Sequence, residues 1–263
     1  MVEAFEIHTS DGVCLRGEIQ GSGPSLIFSN SLGVTREMWQ DQVTSLSAEY
    51  TIILYDTRGH GASDAPRGNY SIDRLTLDVL DLMDGLNVDR AHFCGLSLGG
   101  MTGQAFALRT PARLLSLTLA ATSTYMGPPE AWQNRIETVL GNGMETIADA
   151  VLERWFADEG EASDEIINVA KDWLLETDPV GYAGCCAAIR DMDLRPLVTG
   201  ISTPTLILTG KNDTATPIDH ASFLNDQIPD SSLTSMHGGH LLNLEQPDLF
   251  TDALHQFLRN MGN

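Results

Sequence analysis

Four nearly continuous apolar runs decide what this chain can become: SLIFSN (Ser25–Asn30), YTIILYD (Tyr50–Asp56), AHFCGL (Ala91–Leu96) and LLSLTLAAT (Leu114–Thr122). Stretches of helical spacing separate them, around Met38–Ser47, Ile72–Leu86 and Leu98–Arg109. A strand that is apolar on both sides needs cover on both sides. A parallel sheet with helical crossovers supplies that cover. The first two strand-like segments, Ala4–His8 and Val13–Ile19, differ: they flank the turn signal TSDG and predict an antiparallel hairpin at one edge. The expected class is therefore α/β, a mostly parallel sheet with an N-terminal antiparallel hairpin.

The strand pattern then stops. From about Tyr125 to Arg195 only helical periodicity remains, in EAWQNRIETVL, METIADAVLERWF, DEIINVAKDWLLE and YAGCCAAIRDM. TPTLILTG (Thr203–Gly210) restarts the strands, followed by a short one at Ser232–Met236 and a helix at Pro247–Asn260. A chain of 263 residues suits one large domain with a substantial core. The reading is a core built from residues 1–124 and 196–263, with a helical cap inserted over residues 125–195.

Gly95-Leu96-Ser97-Leu98-Gly99 follows an apolar strand and opens a helix. A G-x-S-x-G run occurs by chance, and an ordinary glycine-rich turn has the same letters. The strand-to-helix context points further, to a sharp turn that lifts a serine hydroxyl above the carboxyl edge of the sheet. A serine alone is a weak nucleophile; it needs a base within hydrogen-bond reach and an acid to orient that base. On this kind of sheet the chain order is Ser, then Asp or Glu, then His. Asp213, in KND just past the strand LILTG, is the candidate acid; Asp219 and Asp226 fall in a predicted helix and read as surface charge. His240, in the glycine-rich HGGHLLNLEQP, is the candidate base in preference to His237. The oxyanion donors would be the backbone N–H groups of Leu32, in SNSLG after the third strand, and of Leu98. In a hydrolase, loss of one such donor costs roughly 2.7–4 kcal/mol of barrier.

The formal net charge is −21, which disfavours nucleic acid and anionic lipid as partners. Any anionic substrate would need a local cation. Four cysteines, two of them the adjacent Cys185 and Cys186, lack metal-ligand spacing and suit reduced thiols in the cytoplasm. The stretch MVEAFEIHTSDG does not read as a signal peptide, and no apolar run is long enough to span a bilayer.

The stretches SNSLG, YDTRGHGASD, HFCGLSLGGMTGQ, WQNRIETV, YAGCCAAIRDMDLR and GHLLNLEQP together resemble the α/β-hydrolases, and more narrowly the bacterial 3-oxoadipate enol-lactonases. CCAAIRD is the most telling of these, because caps vary most between families; SNSLG is narrower than usual, since many relatives carry a His-Gly pair there. The resemblance implies Ser97 as nucleophile, Asp213 as acid and His240 as base, and no metal or organic cofactor. It also implies a small lactone substrate bearing one carboxylate. Trp132 would wall the pocket, and Arg135 or Arg190 would meet that carboxylate. The same triad would also serve another small-ester or lactone hydrolase, a perhydrolase or a carbon–carbon hydrolase. A non-catalytic ligand sensor on this fold is the alternative of a different class. Nothing in the sequence gives the oligomeric state.

Overall fold

The computed structural model describes residues 2–156 and 162–261. The eight strands are β1 (Glu3–His8), β2 (Cys14–Gly21), β3 (Ser25–Ser29), β4 (Thr51–Tyr55), β5 (Ala91–Leu96), β6 (Leu114–Ala120), β7 (Thr205–Gly210) and β8 (Ser231–Met236). They form one sheet in the order β1-β2-β4-β3-β5-β6-β7-β8. β2 pairs antiparallel with both β1 and β4, and every other pairing is parallel. The winding direction changes at β3, which lies between β4 and β5. Ligands of open α/β sheets bind at the carboxyl edge of such a switch point. The register there sets Ser29 opposite Gly95, so the loop after β3 meets the turn after β5.

The apolar strands are explained by their two faces. Leu26, Phe28, Ile52, Leu54 and Cys94 point into one core, whereas Ile27, Ile53, Tyr55 and Phe93 point into the other. Alternate residues thus fill opposite cores, and both cores need apolar side chains. Helices α1 (Gln40–Leu46), α2 (Ile72–Gly85) and α3 (Leu98–Arg109) supply cover between the strands of the first half. α2 shows how the sequence starts such a helix: Ser71 caps it by accepting from the Arg74 N–H at 3.1 Å, and Leu75, Val79 and Leu82 bury one stripe.

Among the described residues four α-helices separate β6 from β7: α4 (Pro129–Asn142), α5 (Glu145–Trp155), α6 (Asp164–Glu176) and α7 (Pro179–Asp191). Ser163 caps α6, and Asp178 caps α7 through the N–H groups of Val180 and Gly181. The inserted helices touch the loops at the carboxyl edge closely. A Cβ at Gly59, in the loop after β4, would run into the backbone of Gly181 in α7. The Tyr70 N–H donates to the Gly184 carbonyl at 3.0 Å. After β7 come α8 (Ile218–Gln227), which carries Asp219 and Asp226, then a one-turn helix α9 (Leu242–Glu245) and α10 (Pro247–Asn260). No helix among the described residues is long and apolar enough to cross a membrane.

Candidate active site

Ser97 sits between β5 and α3 with φ 55° and ψ −112°. That backbone region is rare for a side-chain-bearing residue and costs of order 1–3 kcal/mol. The surroundings hold it there. The Ser97 N–H donates to the Ala120 carbonyl at 2.9 Å, and the Ser97 carbonyl accepts from the Thr122 hydroxyl at 2.7 Å and the Met101 N–H at 2.9 Å. The flanking glycines are a matter of space. A Cβ at Gly95 would collide with the Gly99 carbonyl, and one at Gly99 would collide with the Ser29 carbonyl. Gly99 can therefore bring its N–H to the Asn30 carbonyl at 3.0 Å, which ties the serine turn to the loop after β3. Gly99→Ala is expected to force these backbones apart and to lower stability by about 3 kcal/mol, the upper end for overpacking. A urea unfolding midpoint equal to that of the parent protein would refute this.

Asp213 lies in the loop after β7, and its carboxylate is fully employed. Oδ1 accepts from the N–H groups of Ala215 (2.7 Å) and Thr216 (2.8 Å). Oδ2 accepts from the Thr216 hydroxyl (2.6 Å) and from His240 Nδ1 (2.9 Å). Burial alone would raise the carboxyl pKa, but the His240 charge and hydrogen bond and the Thr216 donors outweigh it and bring it down to about 2. An ionised carboxylate can only accept, so Nδ1 of His240 carries a proton, and in the neutral ring Nε2 is the nitrogen with the lone pair. His240 is buried, and its backbone is held from the insertion: the Trp155 carbonyl at the end of α5 accepts from the N–H groups of His240 (2.8 Å) and Leu241 (3.2 Å). The rival residues are elsewhere: Asp219, Asp226 and His237 are all exposed.

Ser97 and His240 line one cavity of about 490 Å³, its open mouth included. No hydrogen bond joins them in this structure, and the Ser97 hydroxyl makes none among the described residues. Leu32 also lines the cavity, while Leu98 is the first residue of α3. Neither backbone N–H has a hydrogen-bond partner among the described residues. The first N–H groups of a helix are left free by its geometry, so Leu98 offers an unspent donor beside the serine. Asn30 shapes the Leu32 loop by accepting from Trp39 Nε1 (3.1 Å) and donating to the Tyr55 carbonyl (3.3 Å). Trp39 is wholly buried against Phe28 and belongs to the core.

Of the residues expected to meet substrate, Trp132 and Arg135 reach the cavity and Arg190 does not. The Arg135 guanidinium lies 5.0 Å from the centre of the Trp132 ring, a cation–π arrangement, and Trp132 Nε1 donates to the Met126 carbonyl at 2.6 Å. Arg190 instead grips both carboxylate oxygens of Asp191 at 2.7 Å and the side-chain carbonyl of Gln133 at 2.5 Å. Sequence reasoning missed Arg154, which also lines the cavity although it is an exposed residue, and so stands at its mouth. Its signal was faint: it precedes Trp155 in a helix whose Val151 and Trp155, four positions apart, face the same space. Neither Arg135 nor Arg154 forms an ion pair among the described residues.

A strained serine turn at the switch point of a mostly parallel sheet shares one cavity with an imidazole that is hydrogen-bonded to a carboxylate from a later strand end. Residues 24–163 match the model of the alpha/beta hydrolase fold family. The chain belongs to that family, and it is an enzyme of the hydrolase class. Among its relatives is 3-oxoadipate enol-lactonase 2 of Acinetobacter baylyi, 40% identical over 92% of this chain and 91% of the relative. The crystal structure of the enol-lactonase from Burkholderia xenovorans LB400 superposes with a TM-score of 0.94 at 39% identity, covering 97% of this chain and all of that one (100%). The resemblance to the enol-lactonases therefore holds across the fold. A more distant relative is RutD of Pseudomonas syringae, whose name assigns it to carbamates, 30% identical over 89% of this chain and 93% of its own.

Proposed function

We propose that this chain opens 3-oxoadipate enol-lactone to 3-oxoadipate, a step of aromatic-compound catabolism in the β-ketoadipate pathway. The observation that carries the proposal is Arg135, which has no ion-pair partner among the described residues, donates to the Tyr182 hydroxyl at 3.5 Å and stacks on Trp132 in the cavity that holds Ser97 and His240. It offers the local cation that a carboxylate needs on so acidic a protein. The identity to the Acinetobacter enol-lactonase supports the same substrate.

The chemistry follows from the donors and acceptors. Ser97 Oγ attacks the lactone carbonyl carbon while His240 Nε2 takes its proton, and Asp213 steadies the imidazolium. The N–H groups of Leu32 and Leu98 receive the developing oxyanion. Collapse breaks the ring C–O bond, and the enol oxygen leaves with the proton from His240. The enol becomes the ketone, and the chain stays on Ser97 as an acyl ester. His240 then draws a proton from water, water attacks the ester, and Ser97 regains its hydrogen. The new carboxylic acid then loses its proton to solvent, so the substrate carries one negative charge and the product two. Arg154, at the cavity mouth, supplies a second cation for the charge that appears.

The relation to RutD supports carbamate hydrolysis as a second reading. The purified enzyme should be given the enol-lactone, a neutral aryl acetate and a carbamate. The lactone is expected to be turned over with the highest kcat/KM. Arg135→Met should raise KM for the lactone about 10- to 100-fold, matching the roughly 1.5–3 kcal/mol of a charge-assisted hydrogen bond, and leave the neutral ester unaffected. Turnover of the ester or carbamate with none of the lactone would overturn the proposal.

A further inference from the structure

We infer that His60 is a positioning residue for the oxyanion loop: its imidazole fixes the peptide next to Leu32 and so aims the Leu32 N–H. The inference rests on the reading above that this N–H is an oxyanion donor.

His60 belongs to the loop that leaves β4, and β4 is the neighbour of β3 in the sheet. The loops from both strands therefore meet at the carboxyl edge. The Gly33 N–H donates to His60 Nε2 at 2.8 Å. On the other side of the ring, Nδ1 lies 3.3 Å from the Arg58 carbonyl. A carbonyl can only accept, so Nδ1 holds the proton and Nε2 is free to accept from Gly33. The ring is wholly buried, and this loss of hydration brings its pKa down to about 4. Neutral His60 thus keeps an acceptor facing the loop at ordinary pH.

The mount of the ring is rigid. The Arg58 guanidinium is buried between Asp78 and Asp11, which it grips through three nitrogens. Gly59 is pressed against the backbone of Gly181. Leu32 and Val34 pack into the core, but among the described residues no other hydrogen bond fixes the backbone of residues 31–34. Gly33 has φ +83°, and a Cβ there would meet Leu174 and Tyr182, so this residue has no side chain to anchor it. Asn30 secures the loop on the near side of Leu32, through Trp39 and Tyr55, and His60 secures the far side. The Leu32 N–H, between these two fixed points, is left free of protein acceptors among the described residues.

The test uses His60→Phe, which keeps a ring and loses the acceptor, and His60→Gln, whose side-chain carbonyl reaches about as far as Nε2. An aryl acetate is the substrate, so the result does not depend on the lactone assignment. Affinity for phenylboronic acid is measured in parallel, because its adduct with Ser97 puts an oxygen where the oxyanion forms. A misplaced donor costs up to about 100-fold, so His60→Phe is expected to lower kcat by about 10- to 100-fold with KM nearly unchanged. Boronate affinity should fall by the same factor, and His60→Gln should recover most of both. Unchanged kcat in a folded His60→Phe protein would overturn the inference, as would a loss confined to KM. If His60→Phe does not fold, His60→Gln is set against His60→Asn, whose carbonyl falls short of Gly33. Equal kcat for those two overturns it. Failure of the serine reading itself would show differently, as a parent enzyme whose Ser97 binds no boronate.

Discussion

Ser97→Ala is expected to lower ester turnover by about a million-fold, the scale seen when a serine nucleophile is removed from an intact site. The substitution deletes one oxygen and little else. The Ser97 hydroxyl makes no hydrogen bond among the described residues, so its loss leaves no buried partner unpaired. The strained turn is held by backbone bonds to Ala120, Thr122 and Met101, none of which uses the side chain. The unfolding midpoint should therefore stay within about 0.5 kcal/mol of the parent in ΔG, as for a substitution that opens no cavity. The measurement is kcat on an aryl ester beside a urea melt. Undiminished hydrolysis by the folded variant would remove the serine from the chemistry.

Asp213→Asn is expected to cost about 10⁴-fold in kcat, through a tautomer rather than a lost contact. Two N–H groups, from Ala215 and Thr216, point at Oδ1, so the asparagine carbonyl takes that place. Its NH₂ then faces His240 Nδ1, where the carboxylate oxygen had been. A donor facing Nδ1 demands a lone pair there and moves the ring proton to Nε2. The base is then protonated on the side that should accept from Ser97. KM should change little, since Asp213 is screened from the cavity by His240 and does not line it. A rate within tenfold of the parent would show that Asp213 does not set the tautomer.

The sheet was legible because each strand carries its burial on its face. Ile27 and Phe28 point to opposite cores, and a run apolar at both positions has only one kind of home. Ser97 was legible because the two glycines beside it answer to collisions that any tight strand-to-helix turn creates. The meeting of Asp213 with His240, though not their roles, followed from strand ends and chain order. The one-turn helix α9 was not legible, because four residues show no period. Arg154 was hidden among other charges on an amphipathic helix. Arg190 illustrates the converse limit: its residue type suits a carboxylate, but the aspartate that satisfies it is its own neighbour, Asp191. The Gly33–His60 bond joins residues 27 apart whose link is visible only once β3 and β4 lie side by side.

The Trp155 carbonyl, which takes two N–H groups from the base loop, has a bearing on how such an enzyme can diversify. The inserted helices that wall the cavity also seat the imidazole. Exchange of that whole region for one from another chain of this fold would unseat His240 unless an equivalent acceptor arrived with it. Point changes at the inward-facing side chains carry no such debt, since a main-chain oxygen survives every one of them. Side chains on the cavity wall can thus change one at a time, whereas the insertion as a whole carries the acceptor that holds His240.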